Sequence, residues 1–132
     1  MPSMARILVV EDVDEMRELL AETLSGIEGI RVTGQVQNTQ EARIEITRRR
    51  PDLVLLDEVL PGESSLDLLE ELKSEGIPVV LITGVEEKTE RPLPAGALIR
   101  MAKPAWESLE EDRLRIRAQL AKVIPRARVK SD

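Results

Sequence analysis

The chain has 132 residues, enough for one domain with a proper core, and 42% hydrophobic with 33% charged residues fits a soluble globular protein rather than a disordered one. It carries no His and no Cys, which removes Ser-His-Asp and Cys-His catalysis, imidazole acid–base chemistry, disulfides and thiolate metal sites. A net charge of −6 argues against a nucleic-acid partner, and no apolar run approaches the roughly 18–20 residues of a membrane span, so the expected setting is the cytoplasm.

Apolar runs and helical patterns alternate along the chain. Ala5–Val10 reads as a buried strand; Met16, Leu19, Leu20, Thr23, Leu24 and Ile27 then follow helical spacing, with Asp14 and Glu15 favourable near the helix start. Ile30–Gly34 is a short alternating strand. Asn38, with Glu41 three residues on, predicts a capped helix to about Arg50, stopped by Pro51. Leu53–Leu56 is the third strand. Ser64 with Asp67 opens the next helix, whose apolar face is Leu66, Leu69 and Leu72, and Gly76 ends it.

Ile77–Ile82 and Ala97–Met101 are the fourth and fifth strands. Between them, Pro92 and Pro94 leave room for at most two helical turns in Val85–Gly96, which is expected to be short or irregular. Leu109, Ile116, Leu120 and Val123 form the seam of a long final helix that closes near Pro125. The Arg and Lys excess of the last twenty residues (Arg113, Arg115, Arg117, Lys122, Arg126, Arg128, Lys130), on that helix or the tail, reads as a solvated face. Trp106, the single aromatic, reads as half-buried packing for that helix. Five apolar runs alternating with helices predict a parallel sheet covered on both faces.

In such a sheet, sites form beyond the carboxyl ends of the strands. There the sequence places Glu11-Asp12, then Asp57, then Thr83-Gly84, then Lys103-Pro104. One polar residue ending a strand is ordinary, and Asp57 before Pro61-Gly62 could simply begin a turn, as Asp12 could cap a helix. Together they form a constellation. Three carboxylates about 5 Å apart at an effective dielectric near 20 repel by on the order of 3 kcal/mol per pair, which a proton or cation must offset. An oxygen-only donor set suits Mg²⁺. Carboxylates, a hard metal ion, a Lys and a hydroxyl are the parts needed to transfer a phosphoryl group onto an Asp.

The stretches ILVVEDVDEMRELL, PDLVLLDEVLPGESSLDLLEEL, PVVLITG and MAKPAW, in this order and phase, resemble the receiver domain of two-component response regulators. The resemblance covers about Ala5 to Val123. It implies a flavodoxin-like (βα)₅ fold, a five-stranded parallel sheet with helices on both faces. The expected organisation is a single receiver domain over 1–132, with its core at about 5–124 and a short basic tail at 125–132.

The resemblance further implies that Asp57 accepts a phosphoryl group from a histidine kinase or histidine phosphotransfer protein. Glu11, Asp12, Asp57 and the backbone carbonyl of Val59 then hold Mg²⁺, Thr83 is the switch hydroxyl and Lys103 pairs with the phosphate. With no second domain following Lys130, the expectation is a stand-alone regulator, monomeric or weakly dimeric. It is no enzyme beyond its own phosphorylation and dephosphorylation, and it signals by binding an unknown downstream protein.

Arg100 stands where this family usually has an aromatic. Burying an unpaired guanidinium is expensive, so Arg100 is expected to face solvent or to pair with Glu86, Glu87 or Glu90. Val59 and Val85, both apolar, would flank the hydrolytic water and give a long-lived phosphoryl group. Two other classes fit less well. An Asp-nucleophile phosphohydrolase needs a second Asp where Val59 stands and has its acidic pair last. A phosphorylation-independent receiver-like interaction module usually loses the site residues retained here. No P-loop or dinucleotide motif occurs.

Overall fold

The computed structural model describes residues 4–84 and 91–131, the side chains of 125–131 excepted. Strands β1 (Ala5–Val10), β2 (Ile30–Val36), β3 (Leu53–Asp57), β4 (Val79–Thr83) and β5 (Ala97–Ala102) form one sheet in the order β2-β1-β3-β4-β5, all pairs parallel. Helices α1 (Asp14–Ser25), α2 (Thr39–Arg48), α3 (Ser65–Ser74) and α4 (Leu109–Ser131) connect and follow them, with a 3₁₀ turn at Trp106–Ser108. This is the flavodoxin-like α/β fold. The strand order reverses between β1 and β3, which places a crevice beyond their carboxyl ends.

Successive strand residues point to opposite faces, so apolar runs fill two core layers. Ile7, Val9, Leu53, Leu55, Val80 and Ile82 pack with Leu20 and Leu24 of α1 and Ile116, Leu120 and Val123 of α4. Leu8, Val10, Val54, Leu56, Val79 and Leu81 pack with Ala42 and Ile46 of α2 and Leu68, Leu69 and Leu72 of α3. Each fully buried Leu or Ile contributes roughly 1.5–3 kcal/mol of transfer free energy.

The caps of α2 and α3 form where the sequence places them. Asn38 Oδ1 accepts from the Glu41 N–H at 2.8 Å, and Ser64 Oγ accepts from the Asp67 N–H at 3.3 Å. Gly76 follows α3 with φ +73°, a conformation that strains any side-chain-bearing residue. Ile77, whose N–H bonds the Leu72 carbonyl, belongs to this cap, so β4 begins at Val79, after Pro78.

Two expectations about the helices are corrected. The inner face of α3 is Ser65, Leu68, Leu69 and Leu72, and Leu66 is exposed. The buried Ser65 hydroxyl fixes the helix phase by donating to the Asp57 carbonyl, which turns Leu66 outward. The last helix does not close near Pro125 but runs through it to Ser131. A proline inside a helix forfeits one hydrogen bond and tends to kink it, at about 3 kcal/mol, without having to end it. From Arg91 to Gly96 the backbone leading into β5 is irregular, as expected; Val85 to Glu90 lie outside the described residues. Among the described residues no helix is long and apolar enough to cross a membrane.

Candidate functional site

Strand register gathers the polar residues at one edge. Val10 pairs with Leu56, which sets Glu11 level with Asp57; Asp57 pairs with Ile82, and Thr83 with Ala102, just before Lys103. Backbone bonds extend the ladder past the strand ends: the Glu11 N–H bonds the Val36 carbonyl at 3.0 Å, Glu58 that of Ile82 at 2.9 Å, and Lys103 that of Thr83 at 2.7 Å.

Carboxylate oxygens of Glu11, Asp12 and Asp57 all lie within 4.8 Å of one another. Glu11 and Asp57 are buried, and Asp12 is partly exposed. Asp57 Oδ1 accepts from the Val59 N–H at 3.0 Å and Oδ2 from Lys103 Nζ at 2.9 Å. Glu11 Oε2 accepts from the Val13 N–H at 3.0 Å, and Arg17 donates to the Glu11 carbonyl at 3.0 Å. Lys103 Nζ also lies 2.7 Å from Glu11 Oε1, an ion pair at an angle that leaves Oε1 without a hydrogen bond.

Burial alone would lower the Lys103 pKa; the close carboxylates of Glu11 and Asp57 outweigh it and hold the ammonium above its ordinary value. Burial, then the hydrogen bond and charge of Glu11, raise the Asp12 pKa. Three carboxylates against one ammonium leave an excess of two negative charges. That excess, the all-oxygen donor set and the unbonded Glu11 Oε1 fit a hard divalent cation such as Mg²⁺. The Thr83 hydroxyl is fully buried at the same edge and, among the described residues, has no hydrogen-bond partner.

The structure thus brings Glu11, Asp12, Asp57 and Lys103 together, with Thr83 on the neighbouring strand end. Asp12 does not cap α1, whose N-cap is Val13, with no side-chain bond. Arg100 is a correction. It does not face solvent; a pair with Glu86, Glu87 or Glu90 falls outside the described residues. Its side chain is 3% exposed and bonds both oxygens of Glu58. Pairing removes the penalty that argued against burial. Trp106 is also corrected: it is 61% exposed, because it sits on the 3₁₀ turn ahead of α4 rather than on the buried stripe. Glu58, Ser65 and Arg17 were not foreseen. For Glu58 the available signal was a carboxylate directly following a buried strand end.

A parallel 2-1-3-4-5 sheet with a carboxylate cluster and a lysine at its carboxyl edge defines a flavodoxin-like signalling module of the receiver type. The chain belongs to the response regulator receiver domain family, whose profile matches residues 7–116. It is 35% identical over 118 residues to a protein-glutamate methylesterase/protein-glutamine glutaminase of Syntrophus aciditrophicus, covering 83% of this chain and 33% of that protein. It is 37% identical over 106 residues to the phosphate regulon transcriptional regulatory protein PhoB of Pseudomonas aeruginosa, covering 74% of this chain and 44% of that protein. Among solved structures, the response regulator domain of Thermotoga maritima CheB superposes with a TM-score of 0.70 at 20% identity, covering 94% of this chain and 96% of that one. The chain therefore spans less than half the length of these two curated relatives.

Proposed function

We propose that Asp57 accepts a phosphoryl group from a phosphohistidine of a histidine kinase or histidine phosphotransfer protein, and that the phosphorylated chain binds a downstream protein. A carboxylate oxygen of Asp57 attacks phosphorus as the donor's P–N bond breaks. The electron pair leaves with the imidazole nitrogen, which takes up a proton from solvent, and an acyl phosphate remains on Asp57. The observation that carries this reading is the setting of Asp57: a buried carboxylate ending a strand, oriented by the Val59 N–H and paired with Lys103.

Each neighbour has a task in that transfer. The Lys103 ammonium, shared by Asp57 and Glu11, balances charge gathering on the phosphoryl oxygens. The Thr83 hydroxyl, without a partner among the described residues, gains an acceptor when a phosphoryl oxygen arrives. A hydrogen bond to a charged group contributes about 1.5–3 kcal/mol, enough to bias the chain toward a second state. Glu11, Asp12, Asp57 and the Val59 carbonyl would hold Mg²⁺, which supplies charge neutralisation between donor and acceptor. We assign these residues no enzymatic activity beyond this self-catalysed phosphorylation and the later hydrolysis.

The test is chemical trapping. After incubation with acetyl phosphate and Mg²⁺, borohydride reduces an acyl phosphate to the alcohol, and peptide mapping should find homoserine at position 57. Homoserine absent there, with the modification on another residue, contradicts the assignment.

A further inference from the structure

The guanidinium of Arg100 bonds in two directions. Toward β3, Nε donates to Glu58 Oε1 at 2.9 Å and Nη2 to Oε2 at 3.0 Å. Toward the segment entering β5, Nη1 donates to the Arg91 carbonyl at 2.7 Å and Nη2 to that of Pro92 at 3.3 Å. Arg91 adds a second ion pair to Glu58 Oε1 at 3.1 Å. Arg100 of β5 and Lys103 just past it therefore hold two consecutive carboxylates at the end of β3, Lys103 on Asp57 and Arg100 on Glu58. A buried ion pair contributes little net stability compared with apolar residues of the same volume, so its directional geometry is what apolar packing would not reproduce.

We infer that the Glu58–Arg100 pair couples the phosphorylation state of Asp57 to the Arg91–Gly96 segment, with both residues acting as positioning residues for the surface that segment presents. The inference rests on the phosphorylation proposed above. A phosphoryl group adds negative charge one residue from Glu58 and draws Lys103 toward it. The charge pulls on both cations of Glu58. Arg91, 42% exposed against 3% for Arg100, is the one in reach of solvent, and its carbonyl is held by Arg100. Burial opposes the low pKa of Glu58, but Arg100 and then Arg91 outweigh it, so Glu58 stays charged throughout. Leu93, 43% exposed, lies on the coupled segment, so the change reaches an apolar surface feature.

The test compares the whole chain with the double variant Glu58→Met/Arg100→Met by amide NMR, before and after loading with beryllofluoride and Mg²⁺. In the wild type, the Leu93, Ala95 and Gly96 amides and the Arg100 Nε–H should shift on loading. In the double variant those amide shifts should be lost while the Thr83 and Lys103 amides still shift. Glu58→Gln, which keeps the shape and one acceptor oxygen, gives the same comparison in a less altered core and should weaken the Leu93–Gly96 response. Full shifts at 93–96 in the double variant, or none in the wild type despite shifts at Thr83 and Lys103, overturn the inference alone. A wild type that responds to neither beryllofluoride nor acetyl phosphate overturns the proposed phosphorylation and the inference with it.

Discussion

Lys103 holds Asp57 by a 2.9 Å bond from Nζ to Oδ2, and the same ammonium lies 2.7 Å from Glu11 Oε1. Asp12, the third carboxylate of the cluster, has no cation at ion-pair distance among the described residues. The repulsion within the site therefore falls mainly on Asp12.

Metal-free Asp12→Asn should consequently melt higher than the wild type at neutral pH, by a few degrees. The Asp12 pKa is raised in the folded chain, so its charged form opposes folding, and this opposition disappears once the pH falls below the unfolded value near 3.9. The difference between variant and wild type should close between neutral pH and about 4. A difference that stays constant across that range contradicts the argument.

Mg²⁺ should stabilise the wild type, because it relieves repulsion present only in the folded cluster. At 100 times its dissociation constant a ligand adds about 2.7 kcal/mol, a shift of several degrees for a chain of this size. The comparison needs a monovalent salt at matched ionic strength, since screening mimics part of the effect. Asp12→Asn should gain less. Identical melting of the wild type in both solutions means that the three carboxylates form no metal site.

Removing one partner of the Glu58–Arg100 pair should be severe. Arg100→Met leaves a largely buried carboxylate without its main cation, a change of about 3–5 kcal/mol for a buried pair, and chemical denaturation reads it. Glu58→Met/Arg100→Met should recover much of the loss. A double variant as unstable as the sum of the two single variants would show that the pair does not interact.

The fold was legible because the inner strands β1, β3 and β4, buried on both sides nearly throughout, read as continuous apolar runs, and because Asn38 and Ser64 are caps whose partners lie three residues away. The site was legible for a related reason: Glu11, Asp57, Thr83 and Lys103 each follow or end such a run, and parallel register does the rest. The inner face of α3 was misread because its phase is set by Ser65 bonding to Asp57, a contact with no trace in hydrophobic periodicity. Arg100 was misread because its partner stands 42 residues away. Local sequence shows the penalty of burying a guanidinium but not the carboxylate that offsets it.

The phosphoryl group should be long-lived. Val59, two residues past Asp57, is 61% exposed and offers no polar side chain to orient a hydrolytic water. Val59→Asn should speed dephosphorylation, followed by loss of the added mass over time. Slower decay in that variant counts against the reasoning.

The central claim is that Asp57 is the phosphoacceptor, and intact mass measures it most directly. With acetyl phosphate and Mg²⁺, the wild type should gain the mass of one phosphoryl group, and Asp57→Asn should gain none. Lys103→Met, which removes the ammonium shared by Asp57 and Glu11, should gain it more slowly. Undiminished phosphorylation of Asp57→Asn, or a wild type whose mass does not change, would contradict the account.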